Sequence, residues 1–192
     1  MGRKSNFDRE EKLILAMHLF WQKGYVNTSI SELVEHLGIN RFSIYNTFGD
    51  KQGLYYASLQ HYFTHVSQPA SQVLFGDNAD IETLCEFLTR FVDIQKKQEF
   101  GCFIQNALLE HANRDKEVIA KGNDLFTHLQ KGIQNCLTHA LNKQQLNSDT
   151  DLTCLTDLIL VQIQGIRVLG KAKQYQRLDN SLRQLIMLLK KP

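Results

Sequence analysis

Residues that break helices are scarce in this chain of 192 residues, which contains only 2 prolines and 11 glycines. So low a content excludes a collagen-like chain, a disordered chain and an all-β chain rich in turns. The 4 cysteines are widely spaced and include no C-x-x-C pair. We therefore expect reduced thiols and no disulfide framework. The length fits one large domain or two small ones with a sizeable core.

Long apolar runs and an apolar leader are also missing. The uncharged apolar runs fall short of the roughly 20 residues that a membrane span needs, so we expect no membrane partner. The N-terminal segment MGRKSNFDREEK is charged, unlike a secretory signal peptide. We expect a soluble, cytoplasmic protein. A net charge of +2 neither indicates nor excludes a nucleic-acid partner.

Helical periodicity runs along the whole chain. Apolar residues recur at helical spacing in segments that are bounded by capping residues or glycine. The pattern predicts an all-α fold, in which a three-helix N-terminal unit is joined by one long helix to a larger helical bundle. The predicted bundle helices are Ile81–Lys97, Cys102–His111, Lys116–Leu141, Leu152–Gly170 and Arg177–Lys190, after a break from Pro69 to Asp80.

A helix-turn-helix is predicted within residues 29–48. Ser29 followed by Glu32 is typical of a capping box that begins the first helix. Gly38 supplies the turn, and Asn40 is a good N-cap for the second helix. In such a motif the second helix enters the major groove of DNA by its N-terminal residues. The alternative that remains open is three packed helices with a polar outer face, because the segment is not strongly basic.

The exposed end of the second helix carries side chains that suit DNA. Arg41 can pair with guanine, Asn46 with adenine, and Phe42 can contact a thymine methyl group. Arg3 and Lys4 are candidates for a short basic arm. Phosphate contacts are expected from Tyr45, Thr47 and Lys51.

The run over residues 7–59 resembles the DNA-binding region of the TetR family of bacterial transcriptional regulators. The matching elements are Lys23-Gly24-Tyr25, Thr28-Ser29-Ile30, Gly38-Ile39-Asn40, Ile44-Tyr45-x-x-Phe48 and Lys51-x-x-Leu54. The resemblance implies a repressor and not an enzyme. It implies a homodimer that binds a palindromic operator in double-stranded DNA and is released by a small-molecule or thiol-reactive effector.

The resemblance also implies a domain organisation and a set of DNA contacts. A helix-turn-helix DNA-binding domain would cover residues 1–50. A ligand-sensing and dimerisation domain would cover residues 51–192, with residues 51–66 as the linking helix. The implied DNA-binding residues are Thr28, Ser29, Asn40, Arg41, Phe42, Ser43, Tyr45, Asn46, Thr47 and Lys51. Three of the residues in this region, Val34, Phe42 and Thr47, depart from those usual in the family, which bears on the operator sequence.

For the dimer, the resemblance points to the last two helices of each chain. The predicted helix Leu152–Gly170 is apolar nearly all round, which is typical of a helix buried on most sides. The expected interface residues are Leu160, Val161, Gln164, Gly165, Val168, Leu182, Leu185, Ile186 and Leu189. The residues alone leave open that both are core helices of a monomer.

For the unknown small-molecule effector, the resemblance points to a pocket formed by the linking helix and the three helices that follow. The candidate pocket residues are Phe63, Cys102, Phe103, Asn106, Glu110, Phe126 and His128. Cys102 lies in the first turn of a helix, where a thiolate is favoured. The segment GCFIQNALLEH resembles that of a TetR subgroup in which some members sense electrophiles or oxidants. The alternative is a small buried thiol without reactivity.

No cofactor and no metal site is predicted. Glu110, His111 and His128 offer donor atoms, but we identify no His/Cys pair with the tight spacing of a metal site. A thiol enzyme that uses Cys102 is disfavoured, because no oxyanion hole or ordering acid stands at a recognisable spacing. A further alternative keeps the fold but not the effector, as an effector-independent nucleoid or cell-division DNA-binding factor.

Overall fold

The computed structural model describes residues 7–111 and 113–190, and all of the regular structure within these ranges is helical. The nine helices are α1 (Arg9–Lys23), α2 (Ile30–Leu37), α3 (Arg41–Phe48), α4 (Lys51–Tyr62), α5 (Ile81–Lys97), α6 (Phe103–His111), α7 (Lys116–Asn142), α8 (Leu152–Lys171) and α9 (Tyr175–Leu189). The all-α prediction is confirmed, and each predicted bundle helix lies within two residues of its observed bounds. Arg3 and Lys4, the candidate basic arm, lie outside the described residues.

The predicted break from Pro69 to Asp80 is only partly right. After α4 the chain stays helical through a π-helical turn (Phe63–Ser67), an α-helical turn (Gln68–Ser71) and a 3₁₀ turn (Gln72–Phe75). Proline lacks an N–H group, and its ring clashes with the carbonyl group four residues earlier in an α-helix. Pro69 is the second residue of the short α-helical turn that follows the π-helical turn, and the chain leaves its helical path only after the 3₁₀ turn.

Packing divides the chain into two compact units. The first contains the residues up to Ser67 together with Cys102–Asn123, and the second contains Gln68–Gly101 together with the residues from Asp124 onward. Helix α6 and the start of α7 therefore pack with the helix-turn-helix elements. The domain boundary after residue 50 stays a prediction, and this packing groups the helices differently.

A buried aromatic cluster forms the core of the first unit. Phe20 of α1 and Phe103 of α6 both pack edge-on against Tyr55 of α4, with ring centroids 5.1 and 5.7 Å from that of Tyr55. Each such pair adds about 0.5–1.5 kcal/mol to the free energy gained by burying the rings. Leu33 of α2 and Ile44 of α3 are fully buried beside them in the same unit. Helices α2 and α3 are thus anchored in the core of this unit by buried apolar side chains.

The second unit packs α5 against α8 and α9. Its core includes Val92, Ile166 and Leu178, which are almost completely buried. Helices α5 and α8 approach closely at Gly170, where an added Cβ atom would lie 2.8 Å from the Cβ atom of Gln95. The inner side of α8 therefore packs against the other helices of this unit.

Among the described residues, α8 is the one helix long and apolar enough to cross a membrane by length and composition. The most apolar 18-residue stretch of α8 has a mean hydropathy of 1.5, and 28% of that stretch is buried. The expectation from uncharged runs missed it because Asp157 and Arg167 interrupt those runs but leave the mean hydropathy high. Arg167 is itself buried, with its guanidinium over the Phe91 ring. The inner side of α8 is thus that of a bundle helix, and its apolar outer side is described below.

Candidate nucleic-acid interface

The N-terminus of α2 is fixed by the predicted capping box. Ser29 Oγ accepts the backbone N–H of Glu32 at 3.1 Å, and Glu32 Oε2 accepts the N–H of Ser29 at 2.8 Å. Lys23 Nζ, at the end of α1, donates to Glu32 Oε1 at 2.6 Å. The hydrogen bonds from Lys23 and Ser29 lower the pKa of the Glu32 carboxyl group to about 2. The capping box is confirmed, and it also ties α2 to α1.

The turn between α2 and α3 is built as the sequence predicts. Gly38 adopts the left-handed conformation, with φ 62° and ψ 25°, which costs glycine less than other residues. Asn40 then caps α3, because its Oδ1 atom accepts the N–H of Ser43 at 2.8 Å. Ile44 is fully buried and anchors the inner side of α3. The outer side of α3 is therefore held facing solvent.

The outer side of α3 presents most of the predicted base-reading residues. Arg41, Phe42 and Asn46 are exposed, and Phe42 retains 77% of its accessible surface. Arg41 Nε donates to the Tyr45 hydroxyl group at 3.0 Å, with the guanidinium 5.0 Å from the ring centroid. The Arg41 side chain thus lies against Tyr45, one turn further along the same helix. Ser43, Tyr45 and Thr47 are half-buried at its edges.

The structure corrects the expectation for Thr28. Its side chain is completely buried, and its Oγ1 atom donates to the carbonyl oxygen of Gly24 at 2.7 Å. Thr28 therefore supports the α1–α2 loop from inside and is not available to a phosphate group. The neighbouring Ser29 is exposed and remains the candidate for that contact.

Lys51 lies at the first residue of α4, a suitable place for a phosphate contact. Its ammonium group is 4.1 Å from the ring centroid of Tyr25. Burial lowers the pKa of Lys51, and the carboxylates of Glu110 and Glu32 oppose that shift. The turn before α4 is tight, since a Cβ atom on Gly53 would lie 2.1 Å from a backbone oxygen of the preceding helix.

Sequence reasoning missed a link from α6 to the α1–α2 loop. Glu110 accepts the backbone N–H groups of Val26 at 2.8 Å and Tyr25 at 3.2 Å, one with each carboxylate oxygen. Gly24 has a φ of 82°, and a Cβ atom there would lie 2.9 Å from Glu110 Oε2. Glu110 was expected to line an effector pocket; its carboxylate holds the loop, and its pocket role stays a prediction. The sequence signals only the helix stop at Gly24 and not its distant partner.

Four more candidate pocket residues lie in the same unit, namely Phe63, Cys102, Phe103 and Asn106. Phe103 is 1% exposed and belongs to the aromatic core, which corrects its predicted role as a pocket wall. Cys102 is 4% exposed, and its carbonyl oxygen accepts the N–H of Asn106 at 2.9 Å. Cys102 thus directly precedes α6, one residue from the predicted start, and its side chain is buried inside the unit.

The other two candidate pocket residues, Phe126 and His128, belong to the second unit. His128 Nε2 lies 3.0 Å from Ser71 Oγ, and its ring centroid is 4.8 Å from that of Phe75. Burial, with a smaller contribution from Lys131, lowers the pKa of His128. Phe126 is half-buried. The effector pocket as a whole stays a prediction.

The outer side of α8 and α9 is an exposed apolar surface, which we call the α8–α9 face. Its large side chains are each at least half exposed, and they are Leu158, Val161, Val168, Met187 and Leu188. Gly165 lies in the same helical row, and an added Cβ atom there would meet nothing within 4 Å. Val161, Gly165 and Val168 were among the predicted interface residues. Leu160, Gln164 and Ile186 are half-buried at its border.

Three predicted interface residues instead face the core of their own unit. Leu185 and Leu189 are 7% and 3% exposed, and Leu182 packs against the core around Val92. Helical periodicity identifies one apolar row on α9, which faces the core of this unit. The exposed Met187 and Leu188 are adjacent residues outside that row, so periodicity did not point to them.

A rigid unit that presents a capped, polar second helix of a helix-turn-helix defines the chain as a DNA-binding regulator. Comparison with protein families agrees with this class. Residues 13–57 match the model "Bacterial regulatory proteins, tetR family", and residues 79–185 match "Tetracyclin repressor-like, C-terminal domain". The chain therefore belongs to the TetR family of transcriptional regulators, a family without enzymatic activity.

Known relatives support the same assignment. The transcriptional repressor ComR of Escherichia coli is 26% identical over 170 residues, which cover 87% of this chain and 81% of ComR. The Escherichia coli repressor BdcR is 37% identical over 119 residues, or 61% of this chain and 60% of BdcR. A cysteine mutant of the TetR family regulator CifR, in complex with a 26-bp operator DNA, is 26% identical with a TM-score of 0.78. That match covers 96% of this chain and 98% of CifR.

Proposed function

We propose that this protein is a cytoplasmic transcriptional repressor that binds a two-fold-symmetric operator as a homodimer and is released by an effector. The exposed outer side of α3 carries the proposal. A short helix with Arg41, Phe42 and Asn46 in solvent, on a rigid aromatic core, has the geometry of a recognition helix. The structural likeness to CifR bound to operator DNA supports this interpretation.

In the proposed complex, the residues of α3 divide into two groups. Arg41 and Asn46 read base edges in the major groove, and Phe42 contacts thymine methyl groups. Arg41 must leave Tyr45 to do so, which frees the Tyr45 hydroxyl group for a phosphate. The remaining phosphate contacts come from Ser29, Thr47 and Lys51.

The α8–α9 face supports the homodimer. The face exposes five large apolar side chains. Exposed apolar surface of this kind is typical of a site that another protein covers. A second copy of the same face is the natural partner, because two-fold dimers bring identical patches together. To meet successive major grooves, the two recognition helices of such a dimer must lie about 34–36 Å apart, one helical turn of DNA.

The Glu110 link supports a route for release. Helix α6 directly follows Cys102, and near its end Glu110 holds the α1–α2 loop by two hydrogen bonds. Displacement of α6, by a small molecule or by modification of the Cys102 thiol, would pull that loop and the Tyr25 ring under Lys51. Couplings between effector and DNA binding are typically about 1–3 kcal/mol.

Selection from random double-stranded DNA, at a stated salt concentration, tests the operator. We expect an enriched motif with two symmetric half-sites whose centres are one helical turn apart. Enrichment without symmetry would overturn the dimeric mode of binding. A thiol-reactive probe and a small-molecule library are then screened for release from that motif. The absence of any ligand-dependent release would favour an effector-independent nucleoid factor of the same fold.

A further inference from the structure

Three potential metal ligands lie together in the first unit, away from the recognition helix. They are Glu10 in the first turn of α1, His61 near the end of α4, and His65 in the π-helical turn. One ligand atom from each lies within 4.8 Å of the other two. His61 and His65 are four residues apart and thus lie on one side of a helix, a spacing that suits two ligands of one ion.

The two histidines are arranged so that ring nitrogens remain for an ion. His65 Nδ1 lies 3.1 Å from the carbonyl oxygen of His61. Because a carbonyl oxygen only accepts, Nδ1 is the donor in this hydrogen bond, and in the neutral ring Nε2 then keeps a lone pair. A hydrogen bond of this kind to the other ring nitrogen is the usual support of a metal-binding histidine.

The distances allow closure around one ion. Ligand atoms around tetrahedral zinc are about 3.4 Å apart, given bond lengths of about 2.0–2.2 Å. The His61 and His65 rings are now stacked, with centroids 4.1 Å apart and planes at 20°. Glu10 and His65 are both exposed, so their ligand atoms can approach from the present 4.8 Å towards that separation without displacing core residues. The π-helical turn that carries His65 is a feature often found at functional sites.

We propose that Glu10, His61 and His65 form a binding site for a divalent transition-metal ion such as Zn²⁺. Two imidazoles and one carboxylate are a donor set that zinc and its neighbours in the first transition row prefer over Mg²⁺. The three protein ligands leave a fourth position for water. The ion would cross-link the first turn of α1 to the end of α4 and the π-helical turn after it. Helix α4 directly follows the recognition helix. This site goes beyond the proposed function, and its test uses no DNA.

The test titrates Zn²⁺ into the tag-free full chain by calorimetry, after treatment with EDTA and in the presence of a non-thiol reductant. We expect one ion per chain, an increase in the unfolding temperature with Zn²⁺, and no increase with Mg²⁺. Replacing Zn²⁺ by Co²⁺ gives a visible absorption band that reports the ligands directly. His65→Asn and Glu10→Gln should each weaken binding at least tenfold, since changing even an outer partner of a ligand costs about 10–100-fold.

Two matched variants control for nonspecific binding. His36→Asn removes an exposed histidine of α2, and Cys154→Ser removes the exposed thiol of α8; both should bind Zn²⁺ as the wild type does. Glu10 is exposed, so Glu10→Gln leaves the core intact and keeps the test interpretable. Equal affinity in the wild type, His65→Asn and Glu10→Gln would overturn the proposal. An equal loss in His36→Asn would overturn it too.

Discussion

The exposed sides of α3 and of α8–α9 differ in chemistry. On α3, solvent meets the charged Arg41 and the amide of Asn46, with Phe42 as the one large apolar side chain. On the α8–α9 face, solvent meets large apolar side chains at five positions. Burying such a side chain is worth about 1.5–3 kcal/mol, whereas the polar groups of α3 are well solvated.

The difference indicates two different partners. A polar, capped helix on a rigid core loses little by standing in water and is prepared for a polar ligand, which fits DNA. An apolar face gains most from a second apolar surface, which fits another protein chain. The predictions that follow test this division, beginning with the largest expected effect.

Val161→Glu should abolish dimerisation. Val161 is 65% exposed, so glutamate is tolerated in the monomer, but a symmetric interface would bury the charge twice. We expect the dimer dissociation constant to rise at least about 100-fold, equivalent to about 2.7 kcal/mol, in sedimentation equilibrium.

Val73→Glu is the matched control, since Val73 is 51% exposed in the 3₁₀ turn and lies outside the α8–α9 face. It should leave the dimer unchanged. If Val161→Glu associates as strongly as the wild type, the α8–α9 face is not the interface.

Arg41→Ala should weaken binding to the selected operator by about 1–3 kcal/mol and binding to random DNA much less. Lys51→Ala, as the comparison variant, should weaken both alike and lower the slope of log Kd against log salt concentration by about 1. Titrations of labelled DNA at several salt concentrations measure both effects. Equal losses on operator and random DNA for Arg41→Ala would remove it from base reading.

Glu110→Gln should destabilise the first unit. The amide replaces one accepting carboxylate oxygen by a donor, which leaves the N–H of Tyr25 or Val26 without its bond. We expect the free energy of unfolding to fall by about 1–2 kcal/mol in urea titrations, because the link is partly solvated. Glu35→Gln, at an exposed position of α2, should change it far less. Equal stability of the two variants would mean that the link contributes nothing.

The capping box should give the smallest effect, visible as a pH dependence. The pKa of Glu32 is lowered to about 2 from an ordinary value of 4.5. Its contribution to stability is therefore present above pH 4.5 and is lost as the pH falls towards 2. The difference in unfolding temperature between the wild type and Glu32→Gln should shrink over that range. A difference that stays constant with pH would contradict this role of the carboxylate.

The sequence predicted best what is determined locally. Ser29, Gly38 and Asn40 act through neighbours within four residues, so their roles follow from spacing alone. The link from Glu110 to Tyr25 joins residues 85 apart, and no local pattern marks such a pair. For the same reason, no local pattern pointed to Glu10, the carboxylate that joins His61 and His65 in the proposed metal site.

The sides of helices were predicted less well than their bounds. Helix α5 begins and ends at the predicted residues, because Asp80 caps it and its apolar row is single. Helix α9 has one apolar row, and only the packing of Leu178 and Leu185 shows that this row is internal and unavailable to a partner chain. Thr28 has a residue type suited to phosphate contact, and only its burial reveals its structural role.

A nuclease footprint on the DNA that flanks this protein's own gene tests the central claim most directly. The experiment compares the wild type with Val161→Glu at one stated salt concentration. A dimeric operator-binding regulator predicts a protected, two-fold-symmetric stretch for the wild type and its loss in the variant. Diffuse, salt-sensitive protection that is the same for both proteins would contradict the account.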